Sequence, residues 1–340
     1  MRLIEWVWTA VPLVQHRLLI AIYCNSKAYT TLFQVGLPPN TYLQLYMTMR
    51  DTDKTLSTTA LNNTNISFYK RLLLWVLIPT LGLVVFGVFA MVLPLLHIKP
   101  IAAAEISVVM QNLIVMTIPA AIIAAMVSVH PLQFMCVNTM PKWTIVFGCI
   151  VLYAVFFPLL TYLTEWNKQI TLPASLSDIE QSMMQLEQEA EKTMRVMIGN
   201  QSTPAMIVNV LSIGIMTGIG EELLFRGALQ RILQCRPMNI HVAIFITAAI
   251  FSAVHFQFYG FVPRLVFGML LGYIMYLTGS VWCSALIHAI NNSSVVVMCW
   301  LFGYEAAMYE GNPFPKEVIW VSIALTLVAL LAWNVKKCKK

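Results

Sequence analysis

Three polar clusters interrupt apolar sequence in the C-terminal half of the chain: Glu221-Glu222-Leu223-Leu224-Phe225-Arg226, Phe251-Ser252-Ala253-Val254-His255 and His288-Ala289-Ile290-Asn291-Asn292. An ionisable side chain at bilayer depth costs roughly 2.5 to 3.5 kcal/mol on insertion scales, so such residues pair with one another or act. Glu222 and Arg226 are four apart and share one helical face, which suits an ion pair. A buried pair that merely fixes a helix accounts for those two equally well. Glu221 projects about 100° away from Glu222 and has no helical partner, which makes it the candidate general base. His288 and Asn292 again share a face. A single histidine in an apolar helix is more often a hydrogen-bonded packing residue than a catalyst. One glutamate, two histidines and an asparagine together supply a base and a set of donors able to converge on one water and one carbonyl.

These residues need a scaffold, and the hydropathy supplies one. Apolar runs of twenty or so residues match a hydrocarbon core of roughly 30 Å, and eight candidate spans follow from Arg71 on: about 72–96, 107–128, 143–164, 205–225, 240–256, 262–279, 281–302 and 317–334. The expected fold is all-α, a polytopic transmembrane helix bundle of about eight spans. If the turn after the fourth span centres near Pro237 and Met238, Glu221 and His255 each lie roughly 25 Å from it, and antiparallel helices bring them level. Gly214, Gly218, Gly268 and Gly272 form small-xxx-small faces for close helix approach.

One polar insert, between Glu165 and Asn200, breaks the series. Leu176, Ile179, Met183, Leu186, Ala190, Met194 and Met197 recur there at three- and four-residue spacing, an amphipathic helix between spans three and four with its cap expected at Ser177 or Asp178. It reads as a helix on the membrane face or against neighbouring spans, with a substrate-gating lid as the alternative. Residues 1–70 form a separate, poorly readable and peripheral N-terminal region, with a Thr- and Asn-rich loop from Asp51 to Asn65 and no clean signal peptide. Residues 71–340 form the main domain, with its motif core at 205–302.

Of the 340 residues, 59% are hydrophobic and only 11% charged, against about 25% charged in a soluble domain. That excludes a freely soluble enzyme. The net charge of +6 collects in short loops and in Lys336, Lys337, Lys339 and Lys340, a pattern of membrane topology rather than of nucleic-acid binding. Placing the basic loops in the cytoplasm puts both termini there, in a plasma or inner membrane. It also puts Glu221 and His255 toward the far face, leaving the side of substrate entry open. The seven cysteines show no metal spacing and read as apolar fillers.

EExxxR, FxxxH and HxxxN in this order on hydrophobic spans resemble the CPBP intramembrane proteases, the Abi-like group named for CAAX prenyl endopeptidases and bacteriocin-processing enzymes. The motif match covers Glu221 to Asn292. The resemblance implies an endopeptidase that hydrolyses a peptide bond with a glutamate-activated water, acting on a peptide or membrane-anchored protein substrate in the bilayer. Glu221 would be the base, His255 would orient the water, His288 and Asn292 would stabilise the oxyanion, and Glu222 with Arg226 would hold the helix in register. No cofactor is favoured. Two histidines and a carboxylate are also a catalytic zinc set, so zinc on Glu221, His255 and His288 is the alternative, although the chain has no HExxH helix. From a different class, a proton-coupled transporter or channel would use the same buried groups.

Overall fold

The computed structural model describes residues 66–235, 238–309, 311 and 313–338, and Ala60–Lys340 forms one unit. The Asp51–Asn65 loop and most of the expected N-terminal region lie outside the described residues. The described residues are helical, with no strand among them.

Among the described residues, seven helices are long and apolar enough to cross a membrane: α1 Phe68–Leu96, α2 Ile101–Val127, α3 Trp143–Lys168, α5 Thr203–Gln234, α7 Phe258–Thr278, α8 Val281–Phe302 and the apolar part, Lys316–Trp333, of the last helix. Between α3 and α5 lies the amphipathic α4, Ser177–Ile198. Between α5 and α7 lies a shorter apolar helix, α6, Ile240–Ala253. A short α9, Tyr304–Tyr309, joins α8 to α10, Lys316–Cys338. Seven full spans plus α6 occupy the eight expected positions. The chain is an integral, multi-pass membrane protein.

Apolar burial divides the bundle into three clusters. One joins Ala120, Ile123, Phe134, Phe225, Leu229, Ile232 and Phe251, which ties α1, α2, the second half of α5 and α6 together. A second joins Tyr153, Phe156, Phe267, Leu271, Cys283 and Ile287 on α3, α7 and α8. A third gathers Met197, Ile198, Val296, Cys299 and Tyr304 where α4 meets α8 and α9. Outward faces of α1, α3 and α10 carry exposed leucines, valines and tryptophans such as Leu81, Trp143 and Trp320, as lipid contact requires.

Helix α5 is not a regular α-helix. Two wide-turn π segments, Val210–Met216 and Leu223–Gln230, flank a short α stretch, Thr217–Glu222. A third π segment, Asn112–Thr117, interrupts α2 where it faces α5. Such turns are rare and concentrate at functional sites, because they release carbonyls from the regular ladder. Here the released groups find partners. Trp75 Nε1 on α1 donates to Leu224 O at 3.1 Å, and Asn292 Nδ2 on α8 donates to Ile213 O at 3.4 Å.

The amphipathic helix begins at Ser177, on the heels of a single 3-10 turn, with Leu176 at the cap position and no side-chain cap. The expected capping by Ser177 or Asp178 is therefore absent, because the preceding turn already carries the chain into the helix. Buried Met197 and Ile198 dock its C-terminal end. An ion pair from Arg195 to Glu305 at 2.5 Å, with the same guanidinium over the Tyr304 ring at 5.0 Å, fastens it to α9.

Candidate active site

Helices α5 and α8 approach closely because α5 has glycine where they cross. A Cβ on Gly218 would stand 2.9 Å from Ala289 N and 3.1 Å from its Cα. This contact sets His288 against the Thr217–Glu222 stretch. His288 Nδ1 lies 2.9 Å from Glu222 Oε1, and His288 Nε2 lies 3.6 Å from Glu221 Oε2. One imidazole thus spans two neighbouring carboxylates that leave the helix in different directions. Glu222 and Arg226 are fully buried, while Glu221 and His288 keep 8% and 3% of their surface. Among these four residues, the widest opening is on the Glu221 side.

Arg226 pairs with the same Glu222 oxygen that His288 contacts. Its other arm donates to Gly268 O at 2.8 Å, and its guanidinium sits 4.7 Å over the Phe251 ring. One turn on, Gln230 repeats the reach with a hydrogen bond to Gly272 O at 3.2 Å. The EExxxR cluster is thereby bolted to α7, where glycine leaves the carbonyls accessible. Phe251 and Phe267 present their rings edge-to-face to the imidazole of His288, with centroids at 5.7 and 5.6 Å. The polar cluster therefore stands between aromatic walls that exclude water and fix the ring.

His255 stands just past the end of α6 in a turn, its Nδ1 2.7 Å from Phe251 O. With Nδ1 donating to that carbonyl, Nε2 is left as the free lone pair. His255 is half-buried and near enough to Glu221, His288 and Arg264 for their charges to act on it, yet it makes no direct ion pair with Glu221 among the described residues. The connection after His255 is pinned by Asn167 of α3, whose amide nitrogen donates to Phe258 O at 2.9 Å while its oxygen accepts from Val262 N at 3.0 Å. Ser252 Oγ adds a bond to Phe261 O at 2.7 Å.

Asn292 lies one turn beyond His288 on α8. Its Oδ1 accepts from Asn291 Nδ2 at 3.2 Å, and its own amide nitrogen is held only by the 3.4 Å contact to Ile213 O. At the rim, Arg264 donates to Gln257 Oε1 at 2.7 Å and has a buried Nη1 with no hydrogen-bond partner. Its charge acts on Glu221 and also on Glu187 of the amphipathic helix. Burial raises the Glu187 carboxyl above the usual carboxylate range, with Arg264 and the Tyr259 backbone N–H pulling partly the other way.

No group of three His, Cys, Asp or Glu side chains able to hold a metal ion occurs among the described residues, the Glu221, His255, His288 set included. His288 directs both ring nitrogens at glutamates, Nδ1 at hydrogen-bond distance from Glu222 and Nε2 at 3.6 Å from Glu221.

The features that sequence reasoning missed are the position of His288 between the two glutamates, the partners of Asn292 and the π segments. Asn291 stood inside a named cluster, but its role depends on Tyr153, 138 residues away.

Comparison with protein families gives a match over residues 203–294 to the model described as type II CAAX prenyl endopeptidase Rce1-like. The matched stretch holds all three motifs, from Glu221 to Asn292, while Tyr153, Asn167 and Glu187 lie outside it. Curated proteins and solved structures give no match.

Proposed function

We propose that this chain, whose residues 203–294 match the Rce1-like family model, is a membrane endopeptidase of the CAAX-protease type that works by a glutamate-activated hydrolysis centred on Glu221. The observation that carries this reading is the placement of His288 between Glu221 at 3.6 Å and Glu222 at 2.9 Å. Glu222, neutralised by Arg226, accepts the Nδ1–H of His288 and fixes its tautomer. Nε2 then faces Glu221, the member of the cluster with an outlet.

In the proposed reaction, Glu221 removes a proton from water while the water oxygen attacks the scissile carbonyl carbon. His255 accepts the other water hydrogen through its free Nε2 and so aims the oxygen. The oxyanion forms beside Asn292 and His288. Asn292 donates an amide N–H to it, and His288 donates once Nε2 carries a proton shared with Glu221. The C–N bond then breaks as Glu221 returns its proton to the leaving nitrogen, giving a carboxylic acid and an amine. Preplaced donors of this kind are worth about 2.7 to 4 kcal/mol each in a dry site.

The substrate in this reading is a peptide or membrane-anchored protein that reaches the site from within the bilayer. The charge pattern supports an orientation with Lys142, Arg231 and the C-terminal lysines in the cytoplasm of a cell or inner membrane.

The test is peptide cleavage by the protein in liposomes loaded with a pH dye. Glu221→Gln, which keeps shape and removes the base, is expected to lower kcat at least about a hundredfold with insertion unchanged, and His255→Ala to lower kcat in the same direction. Full activity in Glu221→Gln removes the proposal. Dye-reported proton flux that is lost in the same variant, with no cleavage in the parent protein, would favour the transporter reading instead.

A further inference from the structure

The amide of Asn292 has two faces of opposite character, and only one can serve an oxyanion. Which face points where is set by a hydrogen-bond chain that the three motifs do not contain. The Tyr153 hydroxyl on α3 donates to Asn291 Oδ1 at 3.0 Å. Asn291 Nδ2 donates to Asn292 Oδ1 at 3.2 Å. Asn292 is left with its NH2 group directed along α5, with one weak bond at 3.4 Å to Ile213 O. The second amide N–H is given no partner by this chain.

We propose that Tyr153 and Asn291 are positioning residues, which hold Asn292 in the orientation that presents an N–H donor to the reacting carbonyl. The inference rests on the oxyanion role proposed above for Asn292. An asparagine amide with its oxygen and nitrogen exchanged would occupy the same space and present a repelling lone pair. Asn291 prevents the exchange, because a second NH2 facing Asn291 Nδ2 would set donor against donor. Tyr153 in turn orients Asn291: its hydroxyl has a hydrogen to give, so it demands the oxygen of that amide.

The base of the chain is rigid. Tyr153 is buried, and its ring packs edge-on against Phe157 at 6.0 Å and Phe267 at 6.2 Å. Phe267 is the residue that walls His288 at 5.6 Å. The two residues proposed to share the oxyanion, His288 and Asn292, are thus both referred to one tyrosine on α3, the first through edge-to-face rings and the second through hydrogen bonds. Asn291 has a further anchor at its backbone, where Ser294 Oγ donates to Asn291 O at 2.7 Å.

The experiment compares kcat and KM for Tyr153→Phe, Asn291→Ala, Asn292→Ala and the two double variants that contain Asn292→Ala. Removal of one oxyanion donor costs about 10² to 10³ in kcat, which is the loss expected of Asn292→Ala. Tyr153→Phe, which keeps the ring, and Asn291→Ala are each expected to lower kcat about tenfold with KM unchanged. Each is also expected to cause no further loss once Asn292 is alanine. A packing defect would instead multiply with Asn292→Ala and would lower the unfolding temperature, so equal relative losses in both backgrounds overturn the inference. Wild-type kcat in both single variants overturns it as well. Full activity in Asn292→Ala overturns both this inference and the oxyanion role, while Glu221→Gln tests the base independently of either.

Discussion

The guanidinium of Arg226, fully buried, donates to the carbonyl of buried Gly268 on the facing helix at 2.8 Å. The same side chain neutralises Glu222, and Glu222 holds His288. A helix-to-helix fastener is therefore also the counter-ion of the residue that orients the site.

Arg226→Met is expected to destabilise the protein by roughly 3 to 5 kcal/mol, the usual consequence of stranding a buried charge. The Glu222→Gln/Arg226→Met double variant, which strands none, should recover most of that loss. Thermal unfolding in detergent micelles decides it, and a double variant less stable than the single one contradicts the pairing.

Gly218→Ala introduces a Cβ against backbone, 2.9 Å from Ala289 N, so α5 and α8 must separate. Overpacking of this kind costs typically about 1 to 3 kcal/mol, and the shift should also widen the gap from His288 to Glu221. Gly214→Ala instead meets the Ser293 side chain, whose hydroxyl can rotate, and is expected to be the milder change. Unfolding temperatures and kcat of the two variants, measured side by side, check the order.

The raised proton affinity of Glu187 gives the amphipathic helix a pH dependence. A carboxyl whose folded-state value lies above its unfolded one contributes most to stability below the unfolded value, and the contribution is lost as pH rises through the folded one. The charges facing Glu187 are Arg264, Glu191 and Lys168, beside the Tyr259 N–H. Hydrogen exchange in residues 177–198, corrected for the intrinsic rate, should therefore quicken from about pH 4.5 upward, and Glu187→Gln should flatten the profile. An unaltered slope in that variant assigns the effect elsewhere.

What could be read from the sequence was whatever repeats along one chain. Span length follows from apolar runs, so α3, α8 and α10 begin within a residue of their expected positions. The Glu222–Arg226 pair follows from i,i+4 spacing. The nearness of Glu221 to His255, close enough for its charge to act on the imidazole, agrees with two consecutive helices packed together. The π segments were invisible, since a wider turn leaves no compositional mark, and α5 accordingly runs on to Gln234 rather than ending near residue 225. The bond from Glu222 to His288 crosses 66 residues and the bond from Tyr153 to Asn291 crosses 138. Neither follows from spacing: the first depends on how closely Gly218 lets α5 approach α8, the second on how α3 packs against α8. The early stop of α6 at Ala253 was hidden as well, since Val254 and Phe256 keep the stretch apolar while Phe256 turns to a φ of 53°.

That early stop bears on how a reaction that consumes water can proceed in oil. The 14 residues of α6 rise about 21 Å, some two thirds of a hydrocarbon layer of roughly 30 Å. Open backbone at that depth is stable only where protein or water satisfies it. Asn167 and Ser252 satisfy part of that backbone from within the protein, and in the proposed reaction a local thinning of the bilayer beside His255 would bring the hydrolytic reagent toward Glu221, the more open of the two carboxylates.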